Sequence, residues 1–558
     1  ASLGWSHPKH CNSLPMPQSR SLHTLAQERF GYDRLHPGQE RAVKSVLAGH
    51  DTLVVMPTGG GKSAIYQLAA SMISGATVVV SPLLALQRDQ VQAIAQQDVG
   101  EAAVINSTVG DSDRQETFEN LREGELEFLF LAPEQFSNPA ILEQLQAAQP
   151  SLFVIDEAHC VSAWGHDFRP DYLKLGGAIA ALGHPRILAL TATAAPPIQQ
   201  EIVNHLGMSK PTIIVEGFDR PNIWLAAERY DDEQEKLEAL CDRVGQTDKP
   251  GIIYAATRKR TEDIAQRLID VGIAAQFYHA GMKASEREHV ETAFMQDEVD
   301  VLVATTAFGM GVDKPNVRFV FHADISNSVD SYYQEIGRAG RDGEPAKALL
   351  FYNPVDLNLK RFFASGGKVD VDRVQRIAGV LQRWQGTIAF KDLQEQSGLS
   401  QTKLKTALNQ LAEVGVVELL PTGEVSLAQT AFDLEATLAT MTDRHQQRRQ
   451  WEKSRLEMMR GYAEVKDCRR RYLLNYFGES LDGACDYCDR CKAGVTAIDE
   501  HGDQHPFPLN SLVKHKTWGE GTVMRHEGDK VVVLFDLVGY KTLGVTIARL
   551  YRHLERVE

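Results

Sequence analysis

The chain has 558 residues, of which 43% are hydrophobic and 24% are charged, as in an ordinary water-soluble protein. A single hydrophobic core does not extend over so long a chain, so about three to five domains are expected. No stretch approaches the roughly 20 apolar residues needed to cross a bilayer, which argues against a membrane role. Because the chain begins without a secretion signal, we expect a cytoplasmic protein, nucleoid-associated if bacterial.

The formal net charge is −15, which by itself argues against a nucleic-acid partner, since binding to phosphates needs positive charge. Between residues 444 and 471, however, ten Lys or Arg stand against four Asp or Glu. Any nucleic-acid surface must therefore be local. Seven cysteines are too few for a disulfide scaffold, and four of them fall between 468 and 491, which indicates a metal site.

The first 20 residues, rich in Ser, Pro and His, are predicted to be a disordered tail. From 21 to 365, short apolar runs alternate with helix-length stretches, a pattern typical of parallel strands buried on both faces. The rhythm restarts near residue 251, so we expect two α/β lobes, at 21–216 and 217–365. The predicted strands lie at 52–56, 77–82, 151–156, 186–191, 251–257, 300–306 and 319–324.

Helical periodicity replaces this rhythm after about residue 365. Two short amphipathic helices around a glycine turn, followed by a glycine-turned hairpin, predict a winged-helix-like module at 366–432. A long polar helix then leads into the cysteines within a helical subdomain at 433–495. After a linker at 496–508, alternating apolar residues predict a small β-barrel at 509–558.

The strongest single motif is MPTGGGKS at 56–63, which directly follows an apolar strand and precedes a helix-like segment. Glycines let backbone N–H groups approach phosphates, a lysine meets the β and γ oxygens, and a hydroxyl holds Mg²⁺. The strict phosphate-loop pattern has glycine where this chain has Met56, and a glycine-rich turn with an incidental lysine is the alternative. The predicted nucleotide ligands are Thr58, Gly59, Gly60, Gly61, Lys62 and Ser63.

Asp156 and Glu157 begin a DEAH sequence at the end of a predicted strand. An Asp at this edge can hold Mg²⁺, and the neighbouring Glu can orient and deprotonate the attacking water. Phosphoryl transfer also needs positive charge on the γ-phosphate, commonly from an arginine across an interface. Two arginines of the second lobe stand three apart, so we expect them on one helix face, the alternative being a solvated ion-paired face. This second group comprises Gln334, Arg338 and Arg341.

Together these motifs resemble the superfamily 2 helicases, and more closely the RecQ family, over about residues 24–355. The resemblance rests on FGYDRLHPGQ before the phosphate loop, DEAHCVSAWGHDFRP at 156–170, TAT at 191–193, ATTAFGMGVDKPNVRFVFH at 304–322 and YYQEIGRAGRDG at 332–343. It implies an α/β fold with two tandem RecA-like parallel-sheet lobes, which use ATP and Mg²⁺.

The resemblance also implies roles for two further sets of residues. Tyr32 and Gln39 would recognise adenine next to His36, which stands where the family pattern FRPGQ has arginine. The string at 156–170 resembles the family's aromatic-rich loop, whose rings and arginine can stack on unpaired bases and so couple DNA binding to hydrolysis. The predicted coupling residues are His159, Trp164, His166, Phe168 and Arg169.

The clustered cysteines have a C-x16-C-x2-C-x2-C spacing. Four thiolates satisfy a closed tetrahedral Zn²⁺, and each C-x2-C step lets the chain turn tightly around the ion. The surrounding CRRRYLLNYFGE resembles the RecQ zinc-binding subdomain, which implies a structural zinc, with redox chemistry as the alternative. The predicted ligands are Cys468, Cys485, Cys488 and Cys491.

If residues 444–458 are helical, three cations and one aromatic recur on one face and form a stripe suited to a DNA backbone. The alternative is a solvated face whose tryptophan packs on a neighbouring domain. The stripe comprises Arg444, Arg448, Trp451 and Arg455.

Two regions depart from the common RecQ plan. The winged-helix-like module stands before the cysteines rather than after them, so the family's strand-separating hairpin has no counterpart here. Residues 509–543 resemble the small β-barrel that ends UvrD and PcrA helicases, which implies docking of a protein partner or of DNA.

The resemblance as a whole implies an ATP-dependent 3′-5′ DNA helicase that translocates on single-stranded DNA and unwinds duplex or branched DNA in recombination and repair. Two other functions stay open on the sequence. An RNA helicase would use the same phosphate-tracking lobes, and a DNA-binding scaffold would carry a weak motor, although Lys62, Asp156, Glu157 and Arg341 are all present.

Overall fold

The computed structural model of the chain describes residues 22–82, 84–97, 99–106, 109–162, 169–309, 314–364, 370–384, 386–420, 424–428, 433–494, 506–535, 538–550 and 553–557. The predicted tail at 1–20 lies outside the described residues, as do residues 496–505 of the predicted linker.

The first lobe is built on seven short strands: β1 (Thr52–Val55), β2 (Thr77–Val80), β3 (Ala102–Ile105), β4 (Phe128–Leu131), β5 (Leu152–Ile155), β6 (Arg186–Thr191) and β7 (Thr212–Val215). They pair in the order β3-β4-β2-β5-β6-β1-β7, and every neighbouring pair is parallel. The four strands predicted for this lobe are confirmed, whereas β3, β4 and β7 were not predicted.

Helices cover both faces of this sheet. In β1, Leu53 and Val55 enter one apolar cluster and Val54 enters another, because successive side chains of a strand point to opposite faces. The helices are α1 (Leu22–Phe30), α2 (Pro37–Leu47), α3 (Lys62–Ala70), α4 (Leu84–Gln96), α5 (Asp111–Glu123), α6 (Pro139–Ala148), α7 (Leu175–Ala181) and α8 (Pro196–Leu206), with short 3₁₀ helices at Pro133–Ser137, Ala158–Val161 and Pro170–Lys174.

The second lobe repeats this architecture with six parallel strands: β8 (Ile223–Arg229), β9 (Gly251–Tyr254), β10 (Ala275–Tyr278), β11 (Val301–Ala304), β12 (Phe319–His322) and β13 (Ala346–Tyr352). Their order is β10-β11-β9-β12-β13-β8. Its helices are α9 (Glu233–Gly245), α10 (Arg258–Asp270), α11 (Ala284–Met295), α12 (Val329–Ile336) and α13 (Asp356–Ala364). The predicted pair of parallel-sheet lobes is thus confirmed.

A small winged-helix-like module follows, with its own apolar core. It contains α14 (Val371–Arg383), β14 (Ile388–Ala389), α15 (Phe390–Ser397), α16 (Gln401–Glu413), β15 (Val417–Leu419) and β16 (Glu424–Leu427). Gly398 ends α15 with a φ of 65°, a left-handed conformation that glycine adopts without strain, and the three strands form an antiparallel sheet.

The predicted long helix is α17 (Leu434–Glu464), which begins where the Asp433 carboxylate accepts hydrogen bonds from the N–H groups of Glu435 and Ala436. Two shorter helices carry the cysteines, α18 (Arg469–Tyr476) and α19 (Asp489–Lys492).

A five-stranded antiparallel sheet occupies the region predicted to be a small β-barrel at 509–558. Its elements are β17 (Leu512–His515), β18 (Gly519–Glu527), β19 (Lys530–Phe535), β20 (Gly539–Gly544), α20 (Val545–Leu550) and β21 (Leu554–Arg556). The strand order is β20-β19-β18-β17-β21. Among the described residues, no helix combines the length and the apolar character of a membrane span.

Candidate functional site

The phosphate loop connects β1 to α3 at the carboxyl edge of the first sheet. Gly59 and Gly61 have φ values of 79° and 70°, so both adopt left-handed conformations that favour glycine. Gly61 directly precedes α3, and the first N–H groups of a helix have no partner within it. The loop therefore presents backbone donors, and the positive end of a helix, to an anion.

Gln39 braces this loop from the start of α2. Its Nε2 donates to the carbonyl oxygens of Gly60 at 3.1 Å and Gly61 at 3.2 Å, while its Oε1 accepts from the His36 N–H at 2.9 Å. The Tyr32 side chain is 37% exposed, and its ring lies parallel to that of Phe30 with centroids 6.0 Å apart. The structure thus joins Gln39 to the loop, and it places Tyr32 as a partly exposed ring that follows α1.

Asp156 and Glu157 follow β5 at the same edge of the sheet. Burial raises the pKa of Asp156, the Glu157 carboxylate raises it further, and Lys62 opposes the shift. Burial lowers the pKa of the Lys62 ammonium, which the carboxylates of Glu157 and Asp156 counteract. Lys62 begins α3 just after β1, and both carboxylates follow β5, so all three side chains belong to the carboxyl edge of one parallel sheet. Ser63 follows Lys62 in α3, and its hydroxyl and the Asp156 carboxylate are oxygen ligands of the kind that Mg²⁺ prefers.

A chain of polar contacts runs from Glu157 to the second lobe. The Glu157 carboxylate lies 3.3 Å from Nδ1 of the buried His159, which also lies 2.9 Å from the Thr191 hydroxyl. That hydroxyl accepts from the Thr193 N–H at 3.3 Å, and Nε2 of Gln334 donates to the Thr193 hydroxyl at 3.3 Å. The acidic pair is therefore connected across the cleft to the residue that precedes the two arginines.

The two arginines occupy different environments. The side chain of Arg341 lies against the phosphate loop, only 3.3 Å from where a Cβ on Gly59 would stand. Arg338 is buried within the second lobe, 3.0 Å from the corresponding point on Gly309. The prediction that they share a helix face is wrong, because α12 ends at Ile336 and the chain continues through turns. Of the two arginines, Arg341 is the one that lies against the phosphate loop among the described residues.

The four cysteine thiols converge, with all sulfur atoms within 4.8 Å of one another. Zn–S bonds of about 2.3 Å in a tetrahedron place sulfurs about 3.8 Å apart, and the sulfurs of Cys485 and Cys491 are 3.8 Å apart. Cys468 and Cys488 are fully buried, and the N–H of Cys491 donates to the Cys488 sulfur at 3.4 Å. The donor set and its spacing fit a closed structural zinc site.

Three protein-family models match the chain. The DEAD/DEAH box helicase model matches residues 36–202, the helicase conserved C-terminal domain matches 235–343, and the RecQ zinc-binding model matches 432–492.

Several curated relatives match most of the chain. The probable ATP-dependent DNA helicase RecS of Bacillus subtilis is 35% identical over 86% of this chain and 94% of its own length. The ATP-dependent DNA helicase RecQ of the same organism is 33% identical over 85% of this chain and 68% of its own length. This chain belongs to the RecQ family of ATP-dependent DNA helicases. It spans 63% of another relative, the RecQ of Pasteurella multocida, at 37% identity.

Solved structures agree on the fold of this RecQ-family chain. The DUF1998 helicase MrfA, bound to DNA and AMPPNP, gives a TM-score of 0.51 at 18% identity and covers 76% of this chain and 64% of that one. The DEAD-box helicase Mss116, bound to single-stranded RNA and UDP-BeF, gives a TM-score of 0.50 at 15% identity, covering 70% and 92%.

The residues expected to couple DNA binding to hydrolysis are only partly described. Trp164, His166 and Phe168 lie outside the described residues. Arg169 is described, and its guanidinium donates to the Pro82 carbonyl at 2.9 Å, just beyond β2. His159 is buried in the polar chain between Glu157 and Thr191.

The predicted basic stripe on α17 is wrong for two of its four residues. Trp451 is buried, with its ring 6.0 Å from that of Tyr540 in the terminal sheet. Arg455 is buried too, and its guanidinium lies 3.2 Å from the carboxylate of Asp330 in α12. The helical spacing was correct, but the terminal sheet and the second lobe cover this part of the face. Arg444 and Arg448 are exposed.

Sequence reasoning missed the contacts made by the interlobe segment at 217–222. Arg220 and Asn222 in this segment donate hydrogen bonds to carbonyl oxygens of the turns that carry Arg338 and Arg341. The segment looks like a plain connection in the sequence, because its partners lie more than 100 residues away. The pair of side-chain donors around Pro221 was the one local signal of a structured joint.

Proposed function

We propose that this RecQ-family helicase hydrolyses ATP in the cleft between its lobes and uses the cycle to move 3′ to 5′ along single-stranded DNA. Movement would unwind duplex or branched DNA, as in recombination and repair. The observation that carries the proposal is the position of Arg341, which comes from the second lobe and lies against Gly59 of the phosphate loop. One phosphate site is thereby completed by both lobes, so hydrolysis is tied to their relative position.

The roles in hydrolysis follow from the groups at the cleft. Lys62 and the amides of residues 58–63 would hold the β- and γ-phosphates, and Ser63 and Asp156 would hold Mg²⁺. A bound Mg²⁺ neutralises charge on the phosphate oxygens. Glu157 would orient the attacking water and accept its proton, helped by the low polarity of the buried site. Arg341 would stabilise charge on the γ-phosphate as the transition state forms, and Arg338 would support it.

Gln334 would report on this chemistry across the cleft, because it donates to Thr193 at the end of the polar chain from Glu157. Tyr32, with His36 and Gln39, would hold the nucleotide base through the exposed tyrosine ring and the side chain that braces the loop.

DNA is the proposed track. The RecS and RecQ relatives are named DNA helicases, whereas the structures that share the fold include one bound to DNA and one bound to RNA. The fold therefore does not distinguish a DNA track from an RNA track, whereas the family supports DNA. Residues that stack on unpaired bases and lie close in sequence to the acidic pair can make ATP hydrolysis depend on whether a DNA strand is bound. The proposed coupling residues are His159, Trp164, His166, Phe168 and Arg169.

The test compares Glu157→Gln with Arg341→Ala in DNA-stimulated ATP hydrolysis and in unwinding of 3′-tailed, 5′-tailed and RNA duplexes. We expect both variants to bind ATP and single-stranded DNA while losing hydrolysis by about 100-fold or more. The unmodified protein should unwind the 3′-tailed DNA and not the 5′-tailed DNA.

Preferential unwinding of the RNA duplex would favour an RNA helicase. Binding of DNA without hydrolysis by the unmodified protein would favour a scaffold. Near-normal hydrolysis by Glu157→Gln would mean that Glu157 is not the base.

Trp164→Ala or Phe168→Ala should keep basal hydrolysis and lose its stimulation by single-stranded DNA.

A further inference from the structure

The interlobe segment contains Arg220, whose two terminal guanidinium nitrogens both donate to one short stretch of the second lobe. Nη1 of Arg220 donates to the Gly337 carbonyl at 3.0 Å, and Nη2 donates to the carbonyls of Ala339 at 2.8 Å and Gly340 at 3.1 Å. These oxygens lie at and just beyond the end of α12, where carbonyls lack helical partners and the helix dipole is negative. A planar cationic fork matches such a group of acceptors.

The stretch that Arg220 holds is also the one that faces the phosphate loop. The Gly337 carbonyl accepts a hydrogen bond from the Thr58 hydroxyl of the loop at 3.3 Å. A Cβ on Gly337 would stand 2.5 Å from the same hydroxyl, so the two lobes are in direct contact here. Arg341 follows Gly340 and reaches Gly59. The backbone that Arg220 fixes therefore sets where the Arg341 side chain begins.

The two residues before Arg220 contact α18 and the residues that follow it in the zinc-bearing region. The ring of Phe477 stacks on that of Phe218, with centroids 4.5 Å apart and planes 11° apart. The Glu479 carboxylate accepts from the Phe218 N–H at 2.6 Å, and Arg470 pairs with Asp219. Arg220 comes directly after Phe218 and Asp219, so these contacts fix the position of the main chain next to it.

We propose that Arg220 is a positioning residue for phosphoryl transfer, which holds the turn at 337–341 so that Arg341 meets the γ-phosphate. The contacts of Arg220 are with the backbone of that turn, so its effect on the reaction would pass through Arg341. The inference rests on the proposed role of Arg341. The interlobe segment, which contacts the zinc-bearing region, would thereby set where Arg341 of the second lobe lies in the site.

The experiment replaces Arg220 with Met, which keeps much of the side chain's length and removes its donors, in the full chain. We expect the kcat of DNA-stimulated hydrolysis to fall about 10- to 100-fold, as misplacement by about 1 Å can cost. The KM for ATP should change by less than about threefold, because an interaction made in the transition state affects kcat and not ground-state binding. Trapping of ADP with aluminium fluoride should weaken, while ADP affinity stays normal.

A helix cap with no role in the reaction would give the opposite pattern. Arg220→Met would then melt at a lower temperature and retain its kcat and its aluminium fluoride trapping, which would overturn the proposal. If Arg220→Met does not fold, Arg220→Lys decides, since lysine keeps the charge but lacks the planar fork. A folded Arg220→Lys with reduced kcat and unchanged KM supports positioning, and normal kcat overturns it. Arg229→Met is the matched control, because Arg229 is an exposed arginine at the end of β8.

Arg341→Ala separates this inference from the proposed function. If Arg341→Ala hydrolyses ATP normally, the proposed role of Arg341 fails. If Arg341→Ala loses hydrolysis and Arg220→Met does not, only the positioning role fails. If both lose it, the double variant should be no slower than Arg341→Ala alone, since residues that act as a unit are not additive. A further loss equal to that of the single Arg220→Met would show that Arg220 acts elsewhere.

Discussion

Charged groups lie out of full contact with water both in the cleft between the lobes, where Lys62, Asp156 and Glu157 are half-buried, and in the junction around the second half of α17, where Arg455 and Asp330 are buried. The two regions provide these groups with different partners. In the cleft, burial lowers the pKa of Lys62 and raises that of Asp156, and among the described residues Lys62 donates to the carbonyl oxygens of Met56 and Pro57 at the long distances of 3.3 and 3.5 Å. In the junction, Arg455 lies 2.8 Å from the Ser328 hydroxyl and 3.2 Å from the Asp330 carboxylate.

This difference separates charges placed for a ligand from charges placed for the fold. Burial alone would lower the pKa of Arg455, but the neighbouring Asp330 carboxylate raises it, so the buried guanidinium has a counter-charge within the fold. Asp330 also accepts from the Tyr476 hydroxyl at 2.6 Å, which ties α18 into the same junction. Substitutions in the junction should therefore change stability, and substitutions in the cleft should change hydrolysis.

The largest effect is expected from removing the zinc that anchors α18 beside the junction. Cys488→Ser should release the metal and lower the melting temperature of this region, since zinc contributes about 10 kcal/mol to folding in small zinc sites. Asp489, which accepts from the Ala227 N–H at 3.2 Å and the Arg469 guanidinium at 2.6 Å, would then lose its fixed position against β8. Zinc content and melting curves measure both effects.

Cys241→Ser is the control for this change, because Cys241 lies on α9 away from the cluster. It should retain zinc and melt normally. A Cys488→Ser protein with full zinc content would show that the other three cysteines hold the ion without it.

Next in size is Lys62→Ala in the cleft. We expect kcat for ATP hydrolysis to fall by about 100- to 1000-fold, because a positioned donor to transition-state charge is removed. The melting temperature should stay close to that of the unmodified protein, since among the described residues the lysine donates to backbone carbonyls at the long distances of 3.3 and 3.5 Å. The control is Lys44→Ala, which removes an exposed lysine paired with Glu40 on α2. A large drop in melting temperature for Lys62→Ala would erase the contrast with the junction.

Breaking the ion pair of Arg455 and Asp330 in the junction should lower stability and leave the rate of hydrolysis per folded molecule unchanged. Asp330→Leu leaves Arg455 buried without its partner, which costs about 3 kcal/mol or more of stability. Adding Arg455→Met should recover much of the loss, because an apolar pair of similar size tolerates burial. Urea unfolding measures the loss and the recovery, with hydrolysis per folded molecule as the second readout. If the double variant is no more stable than Asp330→Leu, the two side chains do not act as a pair.

How far the sequence predicted each region depends on how local its determinants are. The phosphate loop and the acidic pair each lie in one short segment next to a strand, so residue type and spacing predict their position. The four cysteines also lie within one short segment, so their spacing predicts the metal site. The pairing of Arg455 with Asp330 joins residues 125 apart in the chain, and no local pattern reveals it.

Periodicity on α17 and at the two arginines shows the same limit. A helical repeat identifies which residues share a face, but it does not show what covers the face, and the terminal sheet covers Trp451. At Arg338 and Arg341 the spacing suggested a helix, yet Gly337 and Gly340 follow α12, and Gly340 has a φ of 56°. The turn there separates the two arginines, and only the tertiary structure shows which one reaches the phosphate loop.

The smallest effect is expected from the part of α17 that stays exposed. Arg444 and Arg448 are one turn apart on the same face, before the junction begins. If DNA follows this face, Arg444→Glu with Arg448→Glu should weaken duplex binding and reduce the slope of log affinity against log salt by about 0.9 for each phosphate that the protein no longer neutralises. Melting temperature and basal hydrolysis should not change, because neither side chain is buried.

Lys453→Glu is the matched control for this last change, since Lys453 is exposed on α17 and lies roughly half a turn around the helix from Arg444. Reversal of its charge should leave the salt slope unaltered if the DNA follows only the predicted face. Equal effects at both positions would mean that the helix attracts DNA through its overall charge. An unchanged slope in the double variant would remove α17 from the DNA path and make the exposed lysines of α16, Lys403 and Lys405, the next residues to test.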